Sequence, residues 1–204
     1  MNKRSEKFYK TLTPALKDKF GEKDAMEMLD AARRRLEDIL AQNADETPAK
    51  KAHTHSRIYP AIALFHAIAE KTGDRERARA FLSDFYAGES KKAGESYRRL
   101  LKFPGLYKRV PKLFVDTTKK VFGTDAGFAY KFIDESRGVC RYDMLKCPYT
   151  QACERYGCPE LTAAFCDSDD YSYGNLHPKL EWRRTKTLGK GGDCCDFSLR
   201  VVEK

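Results

Sequence analysis

The spacing of apolar residues changes near residue 124, and this change limits the folds that the chain can adopt. From Lys23 to Gln42 apolar residues recur at three- and four-residue steps, the pattern of an amphipathic helix. From Phe128 to Ile133 aromatic residues occupy every second position instead, as in a strand with one covered face. We therefore predict an α+β fold, in which a helical N-terminal half packs on a C-terminal antiparallel sheet.

The first 123 residues are predicted to form helices joined by short breaks. Predicted helices span 4–20 (interrupted by Pro14), 23–42, 59–71, 74–86, 90–102 and a segment from Pro111 to about Gly123. Helix 59–71 is apolar on most of its circumference, which predicts a buried central helix with His66 as a core histidine. Residues 43–56 are polar and are predicted to be a loop, in which His53 and His55 are solvated rather than metal ligands.

The second part is predicted to be built as hairpin–helices–hairpin. Strands 128–133 and 139–146 form the first hairpin, and strands 180–188 and 194–202 form the second. Between them, Cys147-Pro148 and Cys158-Pro159 each start a short helix, because proline is favoured at the first helical position. The whole chain, 1–204, is predicted to be a single domain, with 1–123 as helical support and 124–204 as the site-bearing part.

All seven cysteines lie between Cys140 and Cys195. The odd number, and the absence of an apolar signal core after the first residues, predict a cytoplasmic protein whose thiols are mostly free. A cysteine at a helix N-terminus has a lowered pKa, which would apply to Cys147 and Cys158. Buried cysteines also pack as small hydrophobes, and that interpretation stays open for each thiol.

Composition excludes several classes of function. The net charge is +9, but the basic residues are scattered over different elements and are not interleaved with aromatics, so we predict no nucleic-acid partner. The longest apolar run, 59–69, is too short to cross a bilayer. Cys147, Cys153, Cys158 and Cys166 are spaced by six, five and eight residues, unlike zinc knuckles or ferredoxin-type clusters. We predict neither a metal nor a cofactor, with a cysteine-ligated metal or cluster protein as an alternative.

Several short motifs occur in one order along the second half of the chain. They are Cys147-Pro148-Tyr149, Gly157-x-Pro159-Glu160-Leu161, Phe165-Cys166-Asp167-x-Asp169, Arg184-Thr185-x-Thr187-Leu188 and Gly192-x-x-Cys195-Asp196-Phe197. A weaker motif, Tyr59-Pro60-Ala61-Ile62-Ala63-Leu64, precedes them. Together they resemble the L-2-amino-thiazoline-4-carboxylic acid hydrolase family. The resemblance implies an enzyme of amino acid metabolism that hydrolyses 2-amino-thiazoline-4-carboxylate to a carbamoyl-cysteine by opening a cyclic amidine C–N bond.

Such a substrate carries a carboxylate and an amidine, and the motif residues offer groups for each. Cys166 or Cys195 is the predicted nucleophile, and Asp167 and Asp169 are placed to hold the amidinium. Arg184 is predicted to bind the substrate carboxylate through two hydrogen bonds. An aspartate of the protein that pairs with Arg184 would explain its position on the covered face of the strand equally well.

The remaining predicted site residues have secondary roles. Strand alternation turns Cys195 inward and Asp196 outward. Asp167 or Asp196 would assist a water if no thiolate attacks, and His177 would move protons. The predicted substrate-binding set is completed by Thr185, Thr187, Cys147 and Tyr149. A non-catalytic small-molecule-binding or sensor module on the same scaffold is the alternative function.

Overall fold

The computed structural model describes residues 3–202, and its fold is α+β, as predicted. The helices are α1 Lys3–Phe20, α2 Glu22–Ala41, α3 Pro48–His53, α4 Tyr59–Thr72, α5 Arg75–Leu100, α6 Val110–Val121, α7 Pro148–Arg155 and α8 Thr162–Tyr173. A π-helical turn, Thr54–Ile58, joins α3 to α4. The strands are β1 Ala129–Asp134, β2 Val139–Lys146, β3 Leu180–Arg183 and β4 Cys195–Val201. No strand occurs within 3–100, in agreement with the predicted change of periodicity.

The chain forms two compact units, each assembled from two segments. The first unit comprises residues 3–85 and Tyr149–Thr162, and the second comprises Tyr86–Pro148 and residues 163–202. These boundaries differ from the division at 123/124 that the sequence suggests. The single domain over 1–204 stays a prediction.

In the first unit, α4 is the buried central helix that its apolar circumference predicts. Ten of its fourteen residues, from Tyr59 to Ala69, are buried. It packs mainly against α2, whose buried stripe recurs at helical spacing through Leu29, Ala32 and Leu36. His66 is half-buried in this helix and bonds through Nε2 to the Tyr156 carbonyl oxygen at 2.8 Å.

In the second unit, the four strands form one antiparallel sheet in the order β1-β2-β4-β3. The two predicted hairpins are therefore joined through the pairing of β2 with β4. In that pairing Tyr142 lies opposite Phe197 and Met144 lies opposite Cys195. Helix α6 packs on β2 and β4, and Leu199 lies in the core cluster that includes Val110 of α6.

Several predicted boundaries are wrong. The predicted loop 43–56 contains α3, because Thr47 accepts a hydrogen bond from Lys50 N and Pro48 follows it, a helix start signal. His53 is consequently buried rather than solvated. The predicted helices 74–86 and 90–102 are one helix, α5, and Pro14 lies within a continuous α1.

The predicted strand 180–188 ends at Arg183. The next amides, Thr185 N and Lys186 N, both donate to Asp196 Oδ1, at 2.9 and 2.8 Å. These amides are therefore bound to a side chain, and the strand ladder stops. Helix α8 continues through Tyr173, so the aspartates that follow Cys166 lie on this helix.

Candidate active site

Two cysteines from different elements of the second unit meet at the centre of the candidate site. Cys166 lies on α8 and is half-buried, whereas Cys195 is the first residue of β4 and is buried. Their thiols are hydrogen-bonded to each other. The Cys195 sulfur also accepts a hydrogen bond from Leu188 N at 3.2 Å. Alternation along β4 thus turns Cys195 inward, as the sequence predicts.

The surroundings push the pKa values of the two thiols in opposite directions. The hydrogen bond from Cys195 lowers the pKa of Cys166 to about 7, against the opposing effect of burial. The nearby charge of Arg184 lowers it further. For Cys195, the hydrogen bond with Cys166 and burial raise the pKa, and they outweigh the Leu188 N–H. Cys166 is therefore the thiolate of the pair and Cys195 keeps its proton.

Arg184 is buried and is held by α8. Its side chain is 2% exposed. Nη1 donates to Asp169 Oδ2 at 3.1 Å, and Nη2 donates to Asp170 Oδ2 at 2.5 Å and to the Cys166 carbonyl oxygen at 2.8 Å. The guanidinium also lies 5.3 Å above the Phe197 ring. Burial disfavours the charge, yet the two aspartates raise the pKa of Arg184, so the charge persists beside Cys166.

Asp196 organises the turn that carries Leu188, whose N–H donates to the Cys195 sulfur. The Asp196 carboxylate accepts hydrogen bonds from the backbone amides of Thr185 and Lys186 and from Thr185 Oγ1, the last at 2.6 Å. Burial would raise the pKa of Asp196, but these hydrogen bonds hold it below the ordinary value. Asp196 is thus an ionised carboxylate whose contacts are with the turn.

The other predicted site residues divide into those near the thiol pair and those elsewhere. Cys147 interacts electrostatically with Cys195. Asp167, next to Cys166, pairs with Lys190 at 2.6 Å. His177 stacks on Tyr107 with ring centroids 4.4 Å apart, and its Nδ1 accepts a hydrogen bond from Lys179 N.

Tyr149 belongs to the first unit, where its ring meets the His53 ring edge-on at 6.2 Å. Sequence reasoning missed Asp170, Leu188 and Lys190 as site residues. Asp170 could have been found from spacing, because Cys166, Asp169 and Asp170 are three and four residues apart and share a helix face.

Residues 3–202 contain no group of three or more histidine, cysteine, aspartate or glutamate side chains placed to hold a metal ion. None of the seven cysteines is joined in a disulfide. Within the same range no helix is long and apolar enough to span a membrane.

The fold and the site define an α+β protein with an asymmetric pair of thiols beside a buried arginine. Residues 51–199 match the family described as L-2-amino-thiazoline-4-carboxylic acid hydrolase, and the chain belongs to that family. The resemblance seen in the motifs is thereby confirmed. No curated protein matches the chain.

Among solved structures, the chain is similar to the Fe(II) unliganded H-NOX protein from K. algicida. The two share 12% sequence identity with a TM-score of 0.41, over 96% of this chain and 95% of that chain.

Proposed function

We propose that the protein is a hydrolase that opens the ring of 2-amino-thiazoline-4-carboxylate, with Cys166 as the nucleophile. Membership of the family supports the substrate class. The observation that carries the mechanism is the Cys166–Cys195 pair, in which Cys166 is the thiolate and Cys195 retains a proton. A thiolate with a pKa near neutrality is abundant and still nucleophilic at physiological pH.

The reaction on this substrate is a displacement in two stages. The Cys166 thiolate adds to the ring carbon that bears the amino group, and the bond from that carbon to the ring nitrogen breaks as the nitrogen takes a proton. Water then adds to the same carbon and expels the Cys166 thiolate, which leaves the carbon as a carbamoyl group. The net change is the addition of one water, and the covalent stage divides one difficult step into two.

Asp167 and Lys190 supply charges for both ends of the substrate. Their ion pair is partly exposed, so replacing it by contacts with a ligand costs little. The carboxylate of Asp167 can receive the amidinium, and the ammonium of Lys190 can receive the substrate carboxylate. Arg184 is assigned a positioning role, because a substrate carboxylate would have to displace Asp169 or Asp170 from it.

The deciding experiment compares three alanine variants for turnover of the thiazoline. Cys166→Ala is expected to lose about a thousandfold or more, the scale for a lost nucleophile. Cys140→Ala is the matched control, because Cys140 is a buried cysteine of the same unit that is placed in β2. Cys195→Ala removes the hydrogen bond to the thiolate and should reduce turnover less than Cys166→Ala.

Two outcomes would redirect the proposal. Full turnover in Cys166→Ala and Cys195→Ala would eliminate the covalent route. Binding of the thiazoline without turnover by the unmodified protein would favour a sensor module. The product also reports which bond breaks, because loss of the ring nitrogen yields a free amine, whereas loss of the ring sulfur yields a thiol that a thiol reagent detects.

A further inference from the structure

A second pair of cysteines, outside the candidate active site, is brought together by the end of α7. The chain reverses after this helix at Gly157, whose φ of +67° is the left-handed region that favours glycine. Cys158 N donates to the Cys153 carbonyl oxygen at 2.8 Å and Gly157 N donates to that of Glu154 at 3.1 Å. These two bonds define a Schellman motif, in which the side chains of the third-last helical residue and of the last residue of the motif frequently contact each other. Here those two residues are Cys153 and Cys158.

His66 adds a base to this pair. Its Nε2 lies 2.8 Å from the Tyr156 carbonyl oxygen. A carbonyl can only accept, so Nε2 donates to it and this bond fixes the orientation of the ring. The ring also lies near enough to Cys158 to lower the pKa of that thiol, and Nδ1 is the ring nitrogen that the carbonyl does not engage. A thiol, a base and a group that orients the base are the elements of an activated cysteine.

The turn that holds Cys158 is fixed from outside as well. Arg75 Nη2 donates to the Gly157 carbonyl oxygen at 2.6 Å, and Arg75 Nε donates to Glu160 at 2.8 Å. Asn43 Nδ2 donates a hydrogen bond to the Tyr156 hydroxyl oxygen at 2.7 Å. The hydrogen bond from Cys153, followed by the nearby His66 ring, lowers the pKa of Cys158 to about 6 against the effect of burial. These groups all belong to the first unit.

We propose that Cys153 and Cys158 form a peroxide-sensitive dithiol, in which Cys158 is oxidised first and Cys153 then closes a disulfide. The Cys158 thiolate attacks one peroxide oxygen, the O–O bond breaks and hydroxide leaves as water, which gives a sulfenic acid. The Cys153 sulfur then attacks the Cys158 sulfur, and the S–O bond breaks with release of a second water. Two thiols lose two electrons and one hydrogen peroxide is reduced.

Burial predicts which oxidants can act. Cys153 and Cys158 are both 0% exposed. Glutathione disulfide has to bring its own sulfur to the attacked thiol, so it is excluded. Hydrogen peroxide is close to water in size and can reach Cys158 through local opening of the turn, whose Gly157 is exposed. The site therefore discriminates oxidants by size.

The test uses the full-length chain with Cys147→Ser and Cys166→Ser, because each tryptic peptide, 147–155 and 156–179, then holds one cysteine. After treatment with hydrogen peroxide near neutral pH and alkylation, mass spectrometry should find these peptides joined, with two hydrogens lost. Cys140, buried and with a pKa that burial and then Glu135 raise to about 12, should stay reduced in the same sample. Glutathione disulfide should leave Cys158 unmodified.

Two further variants test the assigned roles. In Cys153→Ala the sulfenic acid cannot be resolved, so dimedone added together with denaturant after the peroxide treatment should label Cys158. In His66→Gln the amide can still donate to the Tyr156 carbonyl but offers no base, and disulfide formation should slow by about tenfold or more. Joined peptides that form at the unchanged rate in His66→Gln, or a Cys158 that oxidises no faster than Cys140, would overturn the proposal. The readout is peptide mass, so it is independent of the proposed hydrolase activity.

Discussion

At the scale of single residues, the protein distinguishes chemically identical thiols by their partners. Cys140 is buried and lies near the negative charge of Glu135, and both effects raise its pKa. Cys166 lies beside the thiol of Cys195, which donates a hydrogen bond, and near the buried cation Arg184, and its pKa falls. The difference follows from whether the thiolate has groups that stabilise it after it leaves water.

The first prediction concerns the pH dependence of Cys166. Because its pKa is lowered to about 7, alkylation of Cys166 by iodoacetamide should accelerate as pH rises through about 7, rather than through about 8.5 as for an ordinary thiol. Peptide mass spectrometry of timed samples measures this rate. Cys140 is the internal control and should remain unreacted over the same range. A midpoint at the ordinary thiol value would contradict the assignment of Cys166 as the thiolate.

The second prediction compares two adjacent arginines. Arg184→Gln removes a buried charge that holds two aspartates, so unfolding should become easier by about 1–3 kcal/mol, and the alkylation midpoint of Cys166 should move to higher pH. Arg183→Gln removes an arginine whose side chain is 65% exposed and paired with Glu181, so its effect should stay within about 0.5 kcal/mol. Urea denaturation and the alkylation profile measure both variants. Equal effects in the two variants would count against the positioning role.

At the scale of elements, α5 contains two glycines in different surroundings. A Cβ added at Gly88 would meet no heavy atom within 4 Å. A Cβ added at Gly94 would lie 2.9 Å from the Ser172 carbonyl oxygen and 3.0 Å from that of Tyr171, at the end of α8. Gly94 therefore permits a close approach between α5 and the helix that carries Cys166.

The third prediction is that alanine has opposite effects at these two positions. Gly88→Ala should stabilise the protein by about 0.5–1 kcal/mol, since alanine restricts the unfolded chain more than glycine does. Gly94→Ala should destabilise it by about 1–3 kcal/mol, because backbone oxygens must move away. Thermal or urea unfolding of the two variants provides the comparison. Stabilisation by both substitutions would show that α5 and α8 do not approach closely at Gly94.

At the scale of the whole molecule, the two units are interleaved in sequence. The first unit needs residues 149–162 in addition to residues 3–85. This added segment supplies the Tyr156 carbonyl to His66, and it supplies Glu160 and the Gly157 carbonyl to Arg75. A cut between residues 123 and 124 would separate the first unit from these partners.

The fourth prediction is therefore that a fragment 1–123 is less stable than the same region in the full chain. Its thermal midpoint, followed by circular dichroism, should be lower and the transition broader. Addition of a synthetic peptide 149–162 should raise the midpoint as its concentration increases, because a ligand of the folded state stabilises it by mass action. A scrambled peptide of the same composition is the control. A fragment with the full-length midpoint would support an independent domain ending at residue 123.

Local patterns in the sequence were sufficient for the class and order of the elements. Alternation from Phe128 and the two hairpins predicted four strands after residue 124, and the apolar circumference of 59–71 predicted a buried helix. These features depend on near neighbours in the chain, because burial of one face imposes a period of 2 or 3.6 residues. The loop predicted over 43–56 was wrong because a capping signal, Thr47-Pro48, outweighed a polar composition.

The sequence by itself determined the α+β class, the order of hairpin, helices and hairpin, and the family to which the motifs belong. Only the tertiary structure decided which thiols meet, that is, Cys166 with Cys195 and Cys153 with Cys158. It also decided that Arg184 binds aspartates of α8. The physical reason is that hydrophobic period is a property of neighbouring residues, whereas side-chain partners depend on how separate elements dock and in which register strands pair. Charge and proton positions follow from those partners, so they too are settled only in the folded chain.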